Sequence, residues 1–464
     1  MARGASEAAA LGEGPSGVTG TLAAARLATV LGQPVFARGH SDGEQLRRRR
    51  LVRLGDVVGE AVITADGAMR EAPAPGQVEL RYAYGPSLLP PPGGALTLWR
   101  YAGLLPLAAS ATVTCPLAVG GTPLMAPPAL RQALDLPGLW LKDETRGPTG
   151  SNKDRATALV VEQALRAGIG TVTCASTGNV AASLAVGTAA AGLAAVVFVP
   201  ADVAPGKVAV MLAAGATVVR VRQGYEAAFG LSRASAAAFG WADRNTGVNP
   251  ATVEAKKTVA FEIWEQLGRR LPDVVVAPVG DGPTLYAIGK GFRELLACGV
   301  AGDLPRVVGV QAEGCQPVKL AWETGGAVGT ATSRTLADGI AVGAPVSGGA
   351  ALHEVRRSGG GMVAVTDAEM LAAVSTLARL CGLLAEPSGA AAAAGLSAAR
   401  AAGLVRPSDT VVALVTGSGL KTPEHLGLAG RTVEVSGRVD EVAALVAHQP
   451  RPGSGTGNSP LGSG

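Results

Sequence analysis

Leu139-Trp140-Leu141-Lys142-Asp143-Glu144-Thr145-Arg146-Gly147-Pro148-Thr149-Gly150-Ser151-Asn152-Lys153-Asp154-Arg155 places a strand, a turn and the start of a helix in one short stretch. Residues 139–144 alternate apolar and polar side chains as a strand does, and the glycine and proline that follow interrupt it. Residues 156–167 (ATALVVEQALRA) then recur at helical spacing, with Ser151 as the expected N-cap. Lys153 therefore falls in the first helical turn. A cation there opposes the positive end of the helix dipole, and an apolar pocket strips its hydration. Both effects favour a neutral amine able to attack an aldehyde.

The same alternation continues outward. Residues 171–176, 194–200, 217–221, 274–279, 306–311 and 410–415 read as buried strands rich in valine and alanine, separated by helical segments. This rhythm predicts an α/β fold with a parallel sheet covered by helices on both faces. Ligands on that architecture bind outside the carboxyl ends of the strands, so the loops there are the candidates for chemistry.

Three such loops join Lys153. Ser176-Thr177-Gly178-Asn179 precedes a helix of small residues, and its free amides and hydroxyls suit a carboxylate. Asn179 adds a side-chain amide able to donate to a phenolate oxygen. Gly280-Asp281-Gly282-Pro283-Thr284 is a glycine turn feeding a helix N-terminus, which suits a phosphate, although Asp281 must then turn away or find a cation. Thr416 opens Thr416-Gly417-Ser418-Gly419-Leu420-Lys421, where a hydroxyl at a strand end can bond a heterocyclic nitrogen without protonating it. Each loop alone also reads as a plain cap or turn. Together they supply the contacts that pyridoxal 5'-phosphate bearing an amino acid requires.

Composition bounds the rest. The 464 residues are 48% apolar and 3% aromatic, which fits closely packed α/β layers. Forty basic against 36 acidic residues leave a net charge of +4, too even to indicate nucleic acid or a membrane as partner. Cys115, Cys174, Cys298, Cys315 and Cys381 are scattered, without the spacing of a zinc site or a disulfide framework, so no metal is expected. No signal peptide or membrane span is evident, and the cytoplasm is the expected compartment. Arg47-Arg48-Arg49-Arg50 reads as a solvated face, and residues 449–464, rich in Gly, Ser and Pro, as a disordered tail.

At this point the chain resembles the threonine synthase family of pyridoxal phosphate enzymes, whose fold is shared with tryptophan synthase β and the serine/threonine dehydratases. The likeness spans roughly residues 96–426. It rests on Leu98-Trp99-Arg100-Tyr101, Gly121-Thr122-Pro123-Leu124, Pro148 to Arg155, Cys174 to Asn179, Val248-Asn249-Pro250, Glu386-Pro387-Ser388 and Thr416 to Lys421. The resemblance implies the PLP fold type II, with two open, mostly parallel α/β domains and the cofactor in the cleft between them. Residues 105–170 and 250–448 would form the large domain, 171–249 the small one, and 1–104 an N-terminal extension.

It also implies roles. Lys153 would carry the cofactor and shuttle protons, and Asn179 would face the cofactor's 3′ oxygen. Ser176, Thr177, Gly178 and Asn249 would take the substrate. Gly280, Asp281, Gly282, Pro283 and Thr284 would line the cofactor phosphate, and Thr416 would meet the pyridine nitrogen. The implied reaction is conversion of O-phosphohomoserine to threonine by γ-elimination and β-addition of water. The partner is then a small amino acid, with a homodimer left open. The departures fall elsewhere: Asn152 stands where the family has Phe, Asp281 where it has Asn, Ser418 where it has His, and Thr252 where an Arg helps hold the substrate phosphate. Lys256, Lys257, Arg155 and Lys207 are the candidates to replace that charge. The alternatives are β-elimination or β-replacement on serine, threonine or an O-substituted serine, and a non-catalytic interaction module.

Overall fold

The computed structural model describes residues 50–53, 61–62, 78–82, 84–107, 112–426 and 432–447. Residues 47–49 of the arginine run and the tail at 449–464 lie outside them. Three short strands, β1 (Arg50–Arg53), β2 (Ala61–Val62) and β3 (Val78–Leu80), pair antiparallel. The rest of the fold is built on two sheets.

The larger sheet contains β4 (Leu124–Met125), β5 (Leu139–Asp143), β10 (Val274–Pro278), β11 (Arg306–Ala312), β12 (Gly361–Val365) and β13 (Val411–Val415), in the order β12-β11-β10-β13-β5-β4. All neighbours are parallel except β4, which runs antiparallel along β5 at the edge. The Val-rich strands β10 and β13 are buried at every position, as strands covered on both faces must be. The smaller sheet is fully parallel, with β6 (Thr171–Ala175), β7 (Ala194–Pro200), β8 (Thr217–Val221) and β9 (Ala242–Asp243) in the order β8-β7-β6-β9.

Topology places the site. Strands β10, β13 and β5 are adjacent and parallel, so the loops leaving their carboxyl ends, at Gly280, Thr416 and Gly147, open on one edge. Strand β6 lies inside the smaller sheet and delivers Ser176 to Asn179. The helix Lys153–Arg166 packs Ala158, Leu159, Val160, Val161 and Ala164 into the apolar core under the smaller sheet, with Val172, Cys174, Leu184 and Val197. That core thus draws in chain upstream of residue 171, the expected edge of the small domain. Leu80 and Tyr82 pack into the core of the larger sheet, so the end of the N-terminal extension is tied to it.

Candidate active site

Lys153 is the first residue of the helix Lys153–Arg166. Ser151 is not the N-cap, because the chain is already helical at Asn152, which takes that position; the Ser151 hydroxyl instead accepts the Lys153 amide at 3.2 Å. The loop is stitched to the end of β13: the Asn152 amide donates to the Thr416 carbonyl at 3.0 Å, the Ser418 amide to the Gly150 carbonyl at 2.8 Å, and Ser151 bridges Gly417. Asn152 is buried, and its side chain faces both ways. Its Oδ1 accepts from Lys153 Nζ at 2.9 Å, while its Nδ2 donates to Thr284 Oγ1 at 3.3 Å. Burial pulls the Lys153 amine down to about 8; Glu386 opposes this, while Arg244 and Lys421 add to it.

The turn after β10 is built around a glycine. Gly282 sits at φ +96°, and a Cβ there would fall 2.5 Å from the Ser347 carbonyl, so only glycine fits. The helix Pro283–Ala297 that follows has no side-chain cap, which leaves its first amides for a ligand. Asp281 has turned away: its Oδ1 accepts the Val346 amide at 2.7 Å. Burial still pushes its carboxyl up to about 6, against that bond and the nearby Lys256 and Lys153.

Across from Lys153, the helix Asn179–Ala190 also starts without a side-chain cap. Ser176 Oγ accepts the Gly178 amide at 3.2 Å, which shapes the turn through Thr177. Asn179 is held at both ends of its amide. Nδ2 donates to Glu386 Oε1 at 2.7 Å, and Oδ1 accepts from Lys421 Nζ at 2.6 Å. Since an ammonium only donates, Lys421 fixes which way the amide points. Ser388 Oγ donates to the same Glu386 oxygen at 2.8 Å, and Lys421 also reaches the Gly150 carbonyl at 3.1 Å. The loops at Lys153, Asn179 and Thr416 are thereby joined through side chains from 386 and 421, and Asn152 links the turn after β10 through Thr284.

Residues 116–417 match the family model described as pyridoxal-phosphate dependent enzyme. The chain belongs to this family. The threonine synthase of Methanosarcina acetivorans is 40% identical over 331 residues, covering 71% of this chain and 81% of that protein. The threonine synthase of Mycobacterium leprae is 39% identical over 306 residues, or 66% of this chain and 83% of that protein. Among solved structures, the T.th. threonine deaminase has a TM-score of 0.54 at 26% identity, covering 68% of this chain and 94% of that one. Diaminopropionate ammonia lyase from Escherichia coli, at 18% identity and a TM-score of 0.55, covers 68% of this chain and 87% of that one and shares the fold. Pyridoxal phosphate is thus the cofactor of this pyridoxal-phosphate dependent enzyme, a lyase of fold type II. The residues present fit it, since a depressed buried amine, an uncapped helix start beyond a glycine turn, and the orphaned buried atoms Lys256 Nζ and Ser347 Oγ meet at one site.

Asn249 is buried with one bond at each end of its amide: Nδ2 donates to the Asp243 carbonyl at 2.8 Å and Oδ1 accepts the Ala251 amide at 2.9 Å, which anchors the loop. Three side chains that the sequence reading left without roles lie among the candidate site residues. Glu386 and Lys421 lay inside recognised motifs, so a charge beside a small-residue turn was the available signal. Arg244 is wholly buried and donates to the Lys153 carbonyl at 3.1 Å, and nothing local marks it. Among the described residues no helix is long and apolar enough to cross a membrane.

Proposed function

We propose that the chain converts O-phosphohomoserine and water to threonine and phosphate. The observation that carries this reading is the Lys153 amine, lowered to about 8 and held by an asparagine that also reaches Thr284. The relatives named threonine synthase support the choice of reaction. When bound, the cofactor withdraws electrons from the substrate's Cα, which makes that proton acidic. Lys153 Nζ takes the Cα proton and returns protons to the carbon chain, positioned by Asn152 Oδ1. Ser176, Thr177 and Gly178 would hold the carboxylate through the open helix start, and Asn179, oriented by Lys421 and Glu386, would hold the ring's 3′ oxygen. The Thr416 hydroxyl would hold the ring nitrogen through a hydrogen bond without giving it a full proton. In the balance, the Cγ–O bond and one Cβ–H bond break, Cγ gains a proton, water supplies the hydroxyl at Cβ, and its remaining proton leaves with the phosphate.

The test is the purified protein with cofactor and O-phosphohomoserine. Release of phosphate and threonine in equal amounts is expected, and release of neither would overturn the assignment. A second reading, β-elimination or replacement on serine or an O-substituted serine, is favoured by Thr252. That side chain is fully buried, and its hydroxyl donates to the Asn249 carbonyl at 2.7 Å, so it contacts no substrate phosphate. Keto-acid release from serine or threonine would support this second reading.

A further inference from the structure

If position 252 offers no charge, the phosphoryl group of the proposed substrate must find its cation elsewhere, and three of the candidates are already occupied. Arg155 is bound by Glu144 and Glu262, with Nε at 2.6 Å from Glu144 and Nη1 at 2.6 Å from Glu262. Lys257 pairs with Glu254 and with Glu294 at 2.7 Å, and lies over the Tyr82 ring at 4.1 Å. Lys207 is on the surface with Asp338. Lys256 remains. It is 1% exposed, its Nζ has no hydrogen-bond partner, and no carboxylate among the described residues lies within ion-pair distance.

A buried, unpartnered amine costs several kcal/mol and is rare in native proteins unless something meets it. Its surroundings are those of the site: Lys153 and Arg244 repel its charge, and Asp281 attracts it. Burial above all, with the charges of Lys153 and Arg244, pushes Lys256 well below the ordinary lysine range, against the pull of Asp281. A second orphan lies beside the same turn. Ser347 is buried, its Oγ has no partner, and its amide donates to the Asp281 carbonyl at 3.0 Å. Gly247, at φ +80°, leaves room beside Ser347 and Asp281: a Cβ there would lie 3.1 Å from Ser347 Oγ and 3.2 Å from Asp281 Oδ2. A buried amine and a buried hydroxyl without partners need a ligand with several acceptor oxygens and enough negative charge to hold a proton on the amine.

We propose that Lys256 is the residue that binds a phosphoryl dianion in this site and makes the enzyme selective for it, an inference that rests on the reaction proposed above. The dianion has two sources, the distal phosphate of the substrate and the phosphate of the cofactor. A carboxylate is excluded as the main ligand because the uncapped start of the helix Asn179–Ala190 serves that group.

The test compares wild-type holoenzyme with Lys256→Gln and Lys256→Met, whose folding is checked by circular dichroism. Holoenzyme is titrated by visible absorbance with the phosphonate isostere of O-phosphohomoserine, in which a methylene replaces the bridging oxygen and nothing can leave, and with norvaline. Apo-protein is titrated with pyridoxal phosphate and with pyridoxal. If the substrate is the source, both variants bind the phosphonate about tenfold or more weakly, with norvaline unchanged. If the cofactor is the source, pyridoxal phosphate weakens by about the same factor while pyridoxal does not. Affinities within about twofold for all these ligands would overturn the proposal. Phosphate release from O-phosphohomoserine by the wild type separates the two failures. Should it occur while the variants bind normally, only the role of Lys256 falls; should it be absent while the variants lose phosphonate or cofactor selectively, only the reaction falls.

Discussion

Two groups of buried cations behave in opposite ways. In the first, Arg155 and Lys142 are surrounded by Glu144 and Glu262, with Lys142 Nζ 2.7 Å from Glu262, and Lys257 and Lys290 share Glu254 and Glu294. These charges tie β5, the helix Lys153–Arg166 and the helices between residues 251 and 297 into one block. In the second, Lys153, Lys256 and Arg244 have no ion pair among the described residues, and Arg244 bonds only neutral oxygens of Thr157, Thr246 and Lys153. Charges that are paired and fully hydrogen-bonded hold the scaffold; those left unpaired in the interior are the ones proposed to meet an anionic cofactor and substrate.

The contrast is tested most strongly at Lys153. Lys153→Ala is expected to lose the visible absorbance of bound cofactor and at least about 10³-fold of turnover, with an unchanged far-ultraviolet circular dichroism spectrum. Near-normal turnover would mean that the reacting amine lies in the other group. Next, Arg155→Ala strands two buried carboxylates and is expected to cost about 3–5 kcal/mol in urea unfolding of the cofactor-free protein. Lys256→Met removes a charge that has no partner, so its cost should be near zero or favourable. Equal losses in the two variants would erase the distinction.

A smaller effect is expected with pH. Only the neutral amine attacks, and the Lys153 amine is pulled down to about 8, so capture of cofactor by apo-protein should slow about tenfold per pH unit below 8 and level off above it. Stopped-flow absorbance would check this, and a break near 10.5 would identify a solvated lysine. The smallest change expected is at Asp281→Asn, which keeps an acceptor for the Val346 amide and removes one negative charge beside the turn. Cofactor should bind about threefold more tightly above pH 7, and the gain should vanish below the carboxyl's value of about 6, where the wild-type group is already neutral.

The strands that carry the site loops were legible because parallel strands buried on both faces are continuous runs of Val and Ala, bounded by glycine. Strand β12 was not, since Gly361-Met362-Val363-Ala364-Val365 opens on glycine and has only two β-branched residues; the capping box at Thr366 and Glu369 just beyond it was the better marker. Lys153, Asn179 and the glycine turn could be placed at helix starts because the signals for those starts are local. The bonds that assemble them are not local: Asn179 to Glu386 spans 207 positions and Asn179 to Lys421 spans 242. The backbone bonds of Asn249 were not legible, because an asparagine after a strand looks the same in sequence whether or not it binds its own loop.

The attachment of one helix has a mechanical consequence. Its first turn is fastened to the end of β13 through Asn152 and Ser151, while its shaft lies in the core beneath the smaller sheet. Any swing of that sheet toward its neighbour would use this junction as a fulcrum, where displacement is least. Ser176 to Asn179, carried by β6, would move only as far as the bonds from Asn179 to Glu386 and Lys421 let go, whereas the backbone of Lys153 would stay almost still.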